Sequence, residues 1–186
     1  MHIADDETTS ITTVINQFAK VWTLLLQYDE DSLVRPKTLH PIHKALDYQK
    51  ATKAIAILKT ELSKRGETGD LFGRERDHQL QGILGNISQT FDGKELYPSV
   101  EEKAASLLYF VIKDHPFSDG NKRIGSFLFL LFLEENGLLE KSGINDNGLV
   151  TLALLIAESN PRQKDLLVRL VLNLLAKRKT TPALQG

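Results

Sequence analysis

Apolar residues recur at three- and four-residue spacing along almost the whole chain, and strict alternation is nearly absent, so the pattern predicts a mostly α fold. "TTVINQFAKVWTLLLQY" places Val14, Phe18, Val21, Trp22 and Leu25 on one helical face, which assigns Trp22 to a core. A polar stretch with Pro36 and Pro41 follows. "IHKALDYQKATKAIAILKTELSKRG" then reads as one long helix ended by Gly66. "ETGDLF" is weakly patterned and reads as a connection, and "RERDHQLQGILGNI" as a further short helix.

The second half is better marked. Ser99 with Glu102 three residues later is a capping box, and Ala104, Leu107, Leu108 and Val111 give the helix behind it a buried stripe. That helix should stop at His115, because a residue before proline is biased away from the α region. The next begins near Asn121 and ends at Asn136-Gly137, and its run "FLFLLFL" from Phe127 to Leu133 predicts a core helix. "NGLVTLALLIAES" is another apolar helix. Asn160 as N-cap with Pro161 behind it opens the last one, "PRQKDLLVRLVLNLLAKRK", whose basic tail suits a helix C-terminus. One stretch breaks the helical pattern. In "ISQTFDGKELYPS" the pair Asp92-Gly93 sits between short β-tolerant segments, which fits a tight hairpin turn and also fits an irregular loop.

Composition adds mainly exclusions. The 186 residues suffice for one domain with a proper core, and 41% hydrophobic with 25% charged residues is the balance of a globular protein. A formal net charge of -1 argues against direct nucleic-acid binding, since phosphate-backbone affinity needs a basic excess. Without cysteine there are no disulfides, zinc-thiolate sites or thiol nucleophiles. The N-terminus "MHIADDETTS" has no secretory pattern, and the longest apolar run is far shorter than the roughly 20 residues a membrane helix takes. The expected location is therefore the cytoplasm, and no membrane contact is expected. The start of the chain leaves room for a preceding domain in a longer protein.

The turn between the two central helices, "KDHPFSDGNKRIGSF", holds more chemistry than a turn requires. A helix starting at Asn121 offers free backbone N–H groups and its positive dipole end, which together make an anion site. Gly120 permits close backbone approach. Lys122 and Arg123 in the first helical turn oppose the dipole, a conflict that a bound phosphate would resolve. Asp119 supplies one carboxylate, and magnesium commonly binds through one or two carboxylates plus substrate phosphates. Histidine is the residue type that exchanges a proton near neutral pH, so His115 is the natural general base for a hydroxyl. Singly, each residue also has a structural explanation as helix stop, turn pair or solvated face. Their convergence on one anion-binding geometry points to phosphorus transfer. His2, His40, His43 and His78 have no partners at metal-ligand spacing and read as structural or exposed.

"HPFSDGNKR", His115 to Arg123, resembles the signature of the Fic/Doc family, H-x-F-x-[D/E]-G-N-x-R, at every defined position. The flanking layout is also similar to that family: a capped helix into the motif, a helix out of it, and a candidate hairpin upstream. The resemblance covers roughly Glu75 to Lys179. It implies a Fic-type helical bundle with a small β-hairpin flap, divided into an N-terminal helical segment, 1–66, and a catalytic core, 67–186, packed as one unit. The implied activity is Mg²⁺-dependent transfer of AMP from ATP to a Ser, Thr or Tyr hydroxyl of a target protein. By the same resemblance His115 is the base, Phe117 anchors the loop, Asp119 holds Mg²⁺, and Gly120, Asn121 and Arg123 cradle phosphates, with Lys122 as an added contact. The flap would comprise Thr90, Phe91, Asp92, Gly93, Lys94, Glu95, Leu96 and Tyr97, pinning a target segment by strand addition.

Two departures keep the reaction open. Ser126 stands where many AMP-transferring members carry a second arginine. Doc-type members, which pass the terminal phosphate as kinases do, share a lysine at the place of Lys122 but have alanine in place of Gly120. A module that binds nucleotide without turnover is a third reading, less consistent with an intact base and metal ligand. "SKRGET", Ser63 to Thr68, only partly matches the family's inhibitory element and is read as a chance match, so restraint is expected from a separate antitoxin-like protein or a segment outside this chain.

Overall fold

The computed structural model describes residues 3–176, with side chains from residue 8 onward. Lys177 to Lys179, the expected basic tail of the last helix, and His2 lie outside the described residues. The chain divides into two compact units, up to Val34 and from Arg35 onward.

The first unit is two helices, α1 (Ile3–Gln17) and α2 (Ala19–Asp29), rather than the one helix expected over this stretch. The chain breaks at Phe18, where the Ile15 carbonyl accepts a hydrogen bond from the Trp22 indole at 3.2 Å. The assignment of Trp22 to a core is corrected here: α2 buries none of its residues, and Trp22 is 48% exposed. A helical stripe predicts which residues share a face. It does not supply a partner for that face.

The second unit contains α3 (Tyr48–Lys64), α4 (Gln79–Ile87), the hairpin strands β1 (Thr90–Phe91) and β2 (Lys94–Glu95), then α5 (Val100–Asp114), α6 (Asn121–Glu135), α7 (Asp146–Glu158), a 3₁₀ turn (Pro161–Gln163) and α8 (Lys164–Leu175). Helix α3 falls within the larger unit, where Ala51 and Ile55 are buried. Helix α3 also starts later than the apolar pattern suggests. Asp47 caps it by accepting from the Lys50 N–H at 2.8 Å, and the backbone of the preceding His43 and Lys44 is bound instead by the side chain of Asn136. Its end follows expectation, with Gly66 at φ +70° and the Glu67 N–H closing back on the Leu62 carbonyl at 3.0 Å.

Helix α5 is the axis of this unit, packed against α4, α6, α7 and α8. Only Phe110, Lys113 and Asp114 escape burial along it, so the stripe Ala104, Leu107, Leu108, Val111 is one side of a helix covered almost all round. Its capping box forms as expected, with Ser99 and Glu102 bonded reciprocally. Gly125 lets α6 press against it: a Cβ there would lie 3.2 Å from Ile112 and 3.3 Å from Val111. Two glutamates at its N-terminus, Glu101 and Glu102, are buried and therefore need partners. His40 gives Glu101 a ring nitrogen at 2.6 Å and a backbone N–H at 3.0 Å, and Arg35 pairs with Glu102. These contacts tie the segment 35–41 to the head of α5 and give His40 a structural role.

From the predicted core helix α6, Leu128, Phe129, Phe132 and Leu133 are buried. Lys113 near the end of α5 donates to the Ala157 and Ser159 carbonyls at the end of α7, at 3.1 and 2.5 Å, satisfying acceptors that a helix C-terminus leaves open. None of the described helices is long and apolar enough to cross a membrane.

Candidate active site

The loop between α5 and α6 is where the expected site residues gather. Helix α5 ends at Asp114, and His115 takes the left-handed region, φ 48° and ψ 56°, as its C-cap. Proline at the next position explains the stop but favours an extended residue before it, so this conformation costs on the order of 1–3 kcal/mol and must be held by its surroundings. The restraint comes from residues 72–76, about forty positions upstream, which run alongside the loop. Arg76 N–H donates to Pro116 O at 2.8 Å, Ser118 N–H to Arg74 O at 2.9 Å, and Gly73 N–H to Asp119 O at 3.1 Å. Bridges pair Phe72 with Asp119 and Glu75 with Phe117.

This brace is anchored on its other side. The Glu75 carboxylate accepts from the Tyr48 hydroxyl at 2.6 Å and from the Leu80 N–H at 2.9 Å. The same hydrogen bond holds the Tyr48 phenol above its usual range, because giving up its proton would leave two anions in contact. Asp77 and His78, at φ 44° and 56°, turn the chain sharply into α4, so His78 has a backbone role.

Within the loop, the Phe117 side chain is 1% exposed. Asn121 bonds its backbone twice: Oδ1 accepts the Phe117 N–H at 2.9 Å and Nδ2 donates to the Phe117 carbonyl at 2.8 Å. The Asn121 side chain is thus a clasp for the loop itself. The first helical acceptor is reached only by Ile124, whose N–H bonds Gly120 O at 2.8 Å, so the N–H groups of Asn121, Lys122 and Arg123 open the helix.

Gly120 is at φ +89°, and a Cβ on it would lie 2.4 Å from the Phe72 ring. Gly120→Ala is expected to lose about 2–4 kcal/mol, combining a left-handed alanine with overpacking against a buried ring. A denaturation midpoint within about 0.5 kcal/mol of wild type would refute that account of the turn.

Asp119 and Arg123 stand one helical turn apart, their charged groups 3.5 Å apart and about half exposed. Arg123 also donates to the Glu67 carbonyl at 2.7 Å and lies over the Phe72 ring, 4.6 Å from its centroid. "SKRGET" therefore sits at the end of α3, and through Glu67 it touches the site by its backbone. Lys122 is exposed and borders, with Arg123, Ser126 and Phe127, an apolar groove of about 410 Å³ between α3, α6 and α7. Asp114, next to His115, has its carboxyl raised by partial desolvation, with Lys164 and His115 pulling the other way.

Among the described residues no cluster of three or more His, Asp or Glu side chains could hold a metal by itself. Asp119 instead offers a single exposed carboxylate at a helix N-terminus, a donor set that fits Mg²⁺ completed by substrate phosphates.

Upstream, the hairpin forms. Thr90 pairs with Glu95 and Phe91 with Lys94 around left-handed Asp92 and Gly93, the geometry a two-residue turn demands. Leu96 N–H extends the pairing to Gln89 O at 2.9 Å. Both strands are exposed, Phe91 to 82%, and Tyr97, just beyond them, has its hydroxyl 3.5 Å from the Lys164 amine. Glu95 is held to α5 through Lys103 at 3.3 Å.

Residues 45–133, from the approach to α3 through most of α6, match the family model described as Fic/DOC family. The chain carries a Fic/DOC domain. No curated protein matches the chain. The matched span of the Fic/DOC domain takes in the brace, the hairpin and the loop. Such domains are in general transferases, of AMP or of phosphoryl groups, that bind nucleotides and protein targets.

Proposed function

We propose that this Fic/DOC domain transfers AMP from ATP to a Ser, Thr or Tyr hydroxyl of a target protein. What supports this is the loop from His115 to Arg123, where an exposed histidine in a strained conformation, an exposed carboxylate and a guanidinium flank the open N-terminus of α6. The hydroxyl oxygen attacks the α-phosphorus, its proton passes to a ring nitrogen of His115, the new O–P bond forms, and the bond to the β-phosphate breaks with release of pyrophosphate. Backbone N–H groups at the head of α6, with Lys122 and Arg123, oppose the charge on the phosphates. Asp119 would hold Mg²⁺, which supplies neutralisation of the phosphate oxygens. The exposed edge of the Thr90–Tyr97 hairpin would take the target segment as an added strand.

Phosphoryl transfer is the second reading, favoured by one feature: Ser126 leaves α6 with Arg123 as the only guanidinium at its head. ATP labelled at the α or the γ phosphate, incubated with the protein and a cell lysate, separates the two. Protein-bound label from the α position supports AMP transfer, and label from γ alone supports the kinase. No label from either, across lysates in which a known Fic/DOC enzyme labels its target, would count against turnover. An antitoxin-like inhibitor protein is the proposed restraint on either activity.

A further inference from the structure

Phe72 lies outside the loop, in a stretch whose pattern marks only a connection, yet it meets three of the loop's residues, Asp119, Gly120 and Arg123. Its ring is completely buried and closes on Gly120 so tightly that no Cβ fits there. Its backbone is bridged to Asp119, reinforced by the Gly73 N–H bond to Asp119 O at 3.1 Å. Its ring face carries the Arg123 guanidinium at 4.6 Å, while the Glu67 carbonyl at 2.7 Å holds an edge of the same group. A planar cation fixed by a ring on one face and an acceptor at one edge has little rotational freedom left. Core filling alone does not require this arrangement, since any apolar side chain of that volume would exclude water.

We propose that Phe72 is a positioning residue for the nucleotide: its ring sets the turn at Gly120 and orients Arg123 toward the phosphates. The phosphate role of Arg123 rests on the function proposed above, whereas the orientation of Arg123 by the ring does not.

Two measurements keep these apart. The first is ATP affinity with Mg²⁺ by calorimetry on the full chain. Phe72→Leu, which keeps apolar bulk and removes the ring face, is expected to raise Kd about 5-fold, and Phe72→Tyr, which keeps the face, to stay within about 2-fold of wild type. The second is the Arg123 Nε–H resonance, assigned by comparison with Arg123→Lys. It is expected to be shifted upfield by the ring current in wild type and in Phe72→Tyr, and to move downfield in Phe72→Leu. An Arg123 resonance indifferent to Phe72→Leu, or equal ATP affinity in wild type and Phe72→Leu, overturns the proposal. If the wild type binds no ATP, the proposed function fails, and the resonance alone then decides whether Phe72 orients Arg123. A Phe72→Leu protein that does not fold leaves the decision to Phe72→Tyr, in which loss of the upfield shift or of ATP affinity overturns the proposal.

Discussion

Replacing His115 by alanine is expected to lower the transfer rate by about 10²–10⁴-fold, the usual contribution of a positioned general base, with little change in stability. The side chain is exposed at the C-cap of α5, so its removal leaves no cavity. Alanine retains the Cβ that makes the left-handed conformation costly, so the strain at that position is nearly unchanged, and stability should stay within about 0.5 kcal/mol. Pairing the rate of label incorporation with a melting curve tests both halves together. Incorporation at the wild-type rate would remove His115 from the mechanism. A large fall in melting temperature would show that it acts through the fold.

The reverse combination is expected at Phe117. Truncation to alanine removes a large, fully buried side chain beneath the loop, for which about 3–5 kcal/mol is typical. The loss should not stay local. The Phe117 N–H and carbonyl are the groups that Asn121 clasps, and its backbone is bridged to Glu75, so a cavity beneath it loosens both the clasp and the brace. Activity should fall with stability and return partly when the protein is cooled or ligand is added in excess. Denaturant unfolding that places Phe117→Ala within about 1 kcal/mol of wild type would show that the ring is not the anchor of the loop.

Legibility in the sequence follows how far apart the interacting residues lie. The capping box at Ser99 and Glu102, the stop at His115, the start at Asn121, the left-handed Gly66 and the hairpin turn at Asp92-Gly93 all appear where the local pattern puts them. Each depends on residues within a few positions of one another, and local backbone sterics and capping hydrogen bonds suffice to specify it. The expectation was least accurate at the N-terminus, where one helix is two and Trp22 is exposed, and at the start of α3, where Asn136 claims the backbone that the apolar pattern gave to the helix.

The residues from His115 to Arg123 could be picked out by type, because an anion site at a helix start has a compositional signature. What that signature does not contain is how they are held. Asn121 reads as a phosphate ligand and is found clasping Phe117, since an amide four residues along the turn meets the backbone there first. Phe72, Glu75 and Tyr48 carry no local signal at all.

By itself, then, the sequence determined the helices around the loop and the chemical inventory of the site, because these rest on short-range propensities and on residue type; the structure decided that Asp92-Gly93 turns a hairpin and not an irregular loop. Only the tertiary structure decided which distant segment braces the loop, which face of Arg123 is covered, and that Gly120 must be glycine for space as well as for φ. Those outcomes depend on the strand-like pairing of residues 72–76 with 116–119 and on a ring packed across that pairing. Such contacts join segments far apart in the chain, where neither periodicity nor capping reaches.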